Sequence, residues 1–189
     1  EGSVLNQRLC LLHWLRRALR LCPHFVSQQF TPALKTALKQ HGIARPLYDD
    51  TNLRALISFC SRKLQRPFDC RDVQFLQLFL QYCLIQHHLG NTPQFSPVQR
   101  NWTQSRGEYF TAQEIVRHWK RRVPQGTHSD EQLFLALLFM MLRTPDPVLD
   151  KHQQDQRLRR AIVRMIARFR AQTGMNFSDE QGLTDQLRS

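Results

Sequence analysis

Between Asp69 and Leu89 the chain sets Val73, Phe75, Leu76, Leu78, Phe79, Leu80, Tyr82, Cys83, Leu84 and Ile85 around most of a helical circumference. A helix of that kind has no face to turn to water, so other elements must enclose it. A second segment of the same character runs from Asp130 to Arg143. Its unbroken apolar run, Leu133 to Leu142, is about half of what a membrane-spanning helix needs, so no membrane contact is expected. With only 7 glycines the chain is poor in turn formers, and with 41% apolar residues it is too hydrophobic for a disordered tail. The expected fold class is all-α.

The flanking segments supply the enclosure. Leu5, Leu9, Leu12, Leu15 and Leu19 stand at helical spacing over residues 5–21, with Arg8, Arg16, Arg17 and Arg20 elsewhere around the axis, and Pro23 is expected to end that helix. Thr31-Pro32 reads as the start of a short helix that stops at Gly42. Asp49-Asp50-Thr51 opens another, carrying Leu53, Leu56, Ile57, Cys60 and Leu64 until Pro67. Residues 91–107 read as a loop with at most a turn of helix after Pro97. A helix over about 109–122 turns Ala112, Ile115, Val116 and Trp119 inward.

Thr144-Pro145-Asp146-Pro147 cannot continue a helix and marks a boundary. Beyond it residues 153–173 read as a long amphipathic helix with Leu158, Ile162, Met165, Ile166 and Phe169 on one stripe, ended at Gly174. Ile115-Val116-Arg117 followed by Ser129-Asp130-Glu131-Gln132 is matched by Ile162-Val163-Arg164 followed by Ser178-Asp179-Glu180-Gln181, at offsets of 47 and 49 residues. Each copy is a helix, a loop holding Gly126 or Gly174, and a helix opened by Ser and acids. Duplication accounts for that order better than chance.

No catalytic apparatus is legible. The chain lacks a phosphate-cradling glycine loop, a Gly-flanked nucleophilic Ser and a helix with two His one turn apart. His87 and His88 are adjacent and point about 100° apart on a helix, so they do not form a metal pair. Cys22 with His24 is half a metal site with no second half. Asp130-Glu131 is better explained by helix capping than by acid and base work. Neither metal nor cofactor is expected. Cys10, Cys22, Cys60, Cys70 and Cys83 show no close-paired spacing, which fits reduced thiols in the cytoplasm and not a disulfide framework.

The excess of 27 Lys and Arg over 15 Asp and Glu gives +12, which favours anionic partners. Arg157, Arg160, Arg164 and Arg168 repeat at three and four residues and form a basic stripe about 16 Å long, a face for an anionic partner. Direct nucleic-acid binding through that stripe is the alternative function. It lacks support from any helix-turn-helix pair or aromatic-and-basic strand motif.

At Arg71-Asp72-Val73 through His88, at Phe95-Ser96-Pro97, and at Asp130-Glu131 with Leu133-Phe134-Leu135-Ala136-Leu137-Leu138, the chain resembles a PTS regulation domain, or PRD. These are helical modules of bacterial antiterminators and sugar-operon activators. The resemblance implies a PRD-like bundle over 48–147, preceded by a helical linker region over 1–47 and followed over 148–189 by the first helices of a second, truncated domain. It also implies that the chain is part of something longer, with a DNA-binding-type region ahead of residue 1 and the rest of the second domain beyond residue 189. DNA contact is then expected only through that preceding region.

In the family, sugar-phosphotransferase proteins phosphorylate His residues and so alter packing within a dimer. The resemblance therefore implies a homodimer and, weakly, phosphotransfer partners. Aligned through Ser96-Pro97, the first family His falls on Leu80, with Phe79 in place of the preceding Asp. Counted eight residues from Asp130, the second falls on Leu138. Both switch positions are leucine, which favours lasting burial by about 1.5 to 3 kcal/mol each. His87, where the family commonly has Arg, and His88 remain as poor alternative acceptors with an expected role at a solvated helix end. The expected function is a non-catalytic regulatory and dimerisation module of a transcription regulator.

Overall fold

The computed structural model describes residues 3–120 and 128–142, among which no strand occurs. Gly42–Pro145 packs as one compact unit, and Glu1–His41 belongs to another.

In the first of these stretches α1 (Val4–Leu21) starts at Ser3, whose hydroxyl accepts from the Asn6 amide at 3.1 Å. Leu11, Leu12, Trp14, Leu15, Ala18 and Leu19 are buried, and so is Arg8, which the sequence sets on the polar side. The expected gap between Pro23 and Thr31 does not exist. The chain stays helical through α2 (Pro23–Phe25), a π-helical stretch (Val26–Phe30) and α3 (Thr31–Gln40). Pro23 restarts the helix at its first position, where no N–H is needed. Pro32 has no N–H to give, and just before it the ladder widens by one residue: the Thr31 amide bonds the Val26 carbonyl, and the Thr31 hydroxyl donates to the same oxygen at 3.1 Å. Pro23, which reads as a break, and Pro32, which reads as a fresh start, are thus absorbed within one helical run. The Trp14 and Phe30 rings meet at 5.4 Å.

In the second unit a 3-10 turn (Arg45–Leu47) leads into α4 (Asp50–Lys63), where the Asp49 carboxylate accepts from the Asn52 amide at 2.8 Å. The enclosed helix predicted from the sequence is α5 (Cys70–His88), opened by a reciprocal box in which the Asp69 and Asp72 side chains each accept from the other's backbone amide. From Leu78 to His87 every residue is buried. The predicted loop after it contains a true helix, α6 (Pro97–Gln104), two turns long, with a second reciprocal box between Ser96 and Gln99. Then come α7 (Gly107–Lys120) and α8 (His128–Met141). Ala112, Ile115, Val116 and Trp119 are buried, as their spacing predicts.

Aromatic contacts knit the unit together. Phe79 lies 5.4 Å from Phe75, 5.8 Å from Tyr82 and 6.0 Å from Phe134 of α8, centroid to centroid. The α4–α5 connection is tied to the far end of α8: the Arg66 guanidinium donates to the Phe139 carbonyl at 3.2 Å, and Phe68 stacks on the Phe139 ring.

Two helices end in the same motif with different residues. After α5, the Gly90 amide bonds the His87 carbonyl and the Asn91 amide the Gln86 carbonyl, with Gly90 at φ +80°. After α4, the Gln65 and Arg66 amides bond the Arg62 and Ser61 carbonyls, with Gln65 at φ +53°. Both are Schellman ends that need a left-handed residue, which glycine adopts freely and glutamine does not. Gln65→Gly should therefore stabilise the protein by up to about 1 kcal/mol. At Gly90 nothing lies within 4 Å of where a Cβ would stand, so Gly90→Ala tests backbone strain alone and should destabilise by about the same amount. Urea unfolding should show the midpoints moving in opposite directions at unchanged slope.

Candidate functional site

The last buried residue of α5 is an imidazole. His87 is fully buried, and its Nδ1 lies 3.3 Å from Oε1 of Glu131, itself fully buried in the first turn of α8. The approach is a close polar contact without hydrogen-bond alignment, and among the described residues Nε2 has no hydrogen-bond partner. The ring is sandwiched further: Trp119 of α7 stacks at 6.1 Å and His128 meets it edge-on at 4.8 Å. The expectation of a solvated helix end for His87 is thus wrong. Counting residues to the helix terminus ignores that α7 and α8 close over that end. His88, by contrast, is partly exposed.

The neighbouring carboxylate has a different task. Asp130 accepts from Arg100 of α6 at 2.8 Å, and Gln132 next in line donates to the Tyr109 carbonyl at 2.9 Å. Three consecutive side chains at the start of α8 therefore reach three separate elements. Reading Asp130-Glu131 as a helix cap catches the favourable dipole placement but not these partners, which lie 30 and 44 residues away in sequence.

Leu80 and Leu138 are both buried. Phe79, beside Leu80, is the fully buried hub of the aromatic cluster. Cys22 is buried while His24 is exposed, so the two do not converge on a common ligand position. No group of three or more metal-ligating side chains occurs among the described residues. Arg157, Arg160, Arg164 and Arg168, the second copy of the repeat and the truncated second domain lie outside the described residues. No helix is long and apolar enough to cross a membrane among the residues described.

The missed helix α6 had a legible signal. Ser96-Pro97-Val98-Gln99 combines a capping residue, a proline at the first helical position and a Gln three residues after the cap.

Cys60 is buried, and that burial, with the Glu114 carboxylate adding to it, pushes its thiol from 9.0 up to about 12. Because the folded value is raised, the contribution to stability is intact below pH 9 and is lost as the pH climbs towards 12. Alkylation at pH 8 should accordingly modify exposed Cys70 first and leave Cys60 and Cys83 protected until the chain unfolds. His87→Leu is expected to destabilise by about 3 kcal/mol, and the double change with Glu131→Leu by less than the sum of the single changes, in a urea double-mutant cycle.

Residues 54–141 match the PRD domain family. The chain is 61% identical over 187 residues to the stationary phase-inducible protein CsiE of Escherichia coli (strain K12), a match covering 99% of this chain and 44% of that protein. The chain thus spans less than half the length of that relative. No solved structure matches it. The enclosed α5, the α7 and α8 that close over it and the buried Leu80 and Leu138 all lie inside the matched segment, so the chain is similar to the PRD domain family across residues 54–141 and to CsiE along nearly its whole length.

Proposed function

We propose that the chain is a non-catalytic regulatory and dimerisation module of a longer cytoplasmic transcription regulator, a PRD-type helical frame that no longer carries the family's histidine switches. On this reading the frame occupies residues 48–147, residues 1–47 link it to a DNA-binding-type region, and residues 148–189 open a second domain. The name of the similar protein CsiE suggests use in stationary phase.

The observation that carries the reading is the burial of Leu80 and Leu138, with Phe79 fixed among three other rings. A phosphoacceptor must meet its donor in the open, and phosphate brings up to about two negative charges. A buried leucine neither accepts the group nor leaves room for it. Phosphotransferase proteins then have no acceptor at these two positions, which leaves them weak partners at most.

The protein incubated with the sugar-phosphotransferase phosphocarrier, its energy-coupling kinase and phosphoenolpyruvate should acquire no acid-labile phosphate. Stoichiometric phosphohistidine, at His87, His88 or elsewhere, would overturn the loss of switching. Light scattering should give a mass near twice 22.4 kDa, and a monomer across the concentration range would remove dimerisation from the reading.

A further inference from the structure

Helix α6 carries its large apolar side chains on the outside. Val98 and Trp102, one turn apart, are 79% and 50% exposed, and Phe110 in the first turn of α7 is 59% exposed, while the buried residue of α6 is Thr103. That is the reverse of an ordinary amphipathic helix, in which the apolar stripe faces the core. Arg106, in the turn between the two helices, holds its guanidinium 4.4 Å over the Trp102 ring. The indole is therefore oriented by a cation on one of its faces.

The charge around this stripe has one sign. Residues 94–107 contain no carboxylate, and Arg100 among them is already bonded to Asp130. Glu108 is buried, and Glu114 is bonded to Arg117 at 2.9 Å. Arg106 is exposed, with its guanidinium over the indole.

We propose that this face docks a short acidic segment of a protein partner, which sets an apolar side chain against Val98 and Trp102 and a carboxylate on Arg106. Area and charge both select that occupant over a second copy of the chain. Taking about 150–250 Å² for a whole aromatic side chain, the three exposed residues offer on the order of 400 Å². A stable protein pair needs about 800 Å² on each side. A second copy also brings the same +12, whereas an acidic segment is drawn in by that field. Trp and Arg are moreover the residue types on which small interfaces concentrate their energy. The proposal is independent of whether the histidine switches are lost.

Two labelled helical peptides with the same leucine stripe test it, one bearing Glu at its remaining positions and the other Gln, titrated with the whole chain in fluorescence anisotropy. The Glu peptide should bind at least tenfold more tightly, with an advantage that shrinks as salt rises. Trp102→Ala and Arg106→Glu should each weaken it tenfold or more at unchanged melting temperature. Val98→Asp, at the most exposed of these positions, keeps the test available where Trp102→Ala fails to fold, and should repel the Glu peptide. Equal binding of the two peptides, or variants that bind as the parent does, would overturn the proposal. So would loss of self-association in Trp102→Ala, which would assign the face to a second copy.

Discussion

The unbroken burial of α5 from Leu78 to His87 constrains every neighbouring element of its unit. A helix enclosed on all sides has to satisfy its end groups locally, which the Asp69–Asp72 box does at one end and the left-handed Gly90 at the other. It also has to find a counter-group for any polar side chain it carries inside. His87 meets Glu131, and Gln86 accepts from Asn91 at 2.9 Å. The first of these contacts orders the bundle, since His87 reaches Glu131 while Phe79, eight residues earlier, reaches Phe134, three residues later. The two helices therefore meet in opposite senses, pinned by one polar and one aromatic contact.

That arrangement explains what could be read in the sequence and what could not. Enclosure writes itself onto almost every position of α5 and α8, so both helices are legible from composition around the axis alone. Helix α6 buries little beyond Thr103 and leaves no apolar stripe pointing inward; only its capping residues announce it. The π-helical stretch is hidden because Pro23 looks like a stop and Pro32 like a new start, and nothing in a local pattern reveals that the ladder will widen at Thr31 to accommodate the second. Partner choice was the least legible. Asp130 and Glu131 look alike in sequence, yet one is bonded to a half-exposed Arg100 and the other faces a fully buried His87. His87 itself misleads, because its place near a helix end suggests water and the closure of α7 and α8 removes it.

On the proposed reading, the same enclosure bears on regulation. A newly charged group inside the Phe75, Phe79, Tyr82 and Phe134 cluster would have no partner to offset its desolvation, a penalty of several kcal/mol for an unpaired ion. A core built this way resists charge as a signal. Any change of state has to come from outside it, through contacts made at the surface and transmitted inward.

The start of α8 is where such transmission has a physical route. Arg100 belongs to α6, whose opposite side exposes Val98 and Trp102, and its bond to Asp130 fixes that helix to the first turn of α8. Glu131, the very next residue, holds the end of α5 through His87. Two consecutive carboxylates therefore connect α6 to the enclosed helix, one bonded at 2.8 Å near the surface and the other in contact at 3.3 Å in the interior. The outer bond is partly solvated and weak by itself; the inner contact is fully buried. The exposed face of α6 thus sits beside a partly solvated contact and not on the core, so that on the proposed reading a partner can occupy it without unfolding what lies beneath.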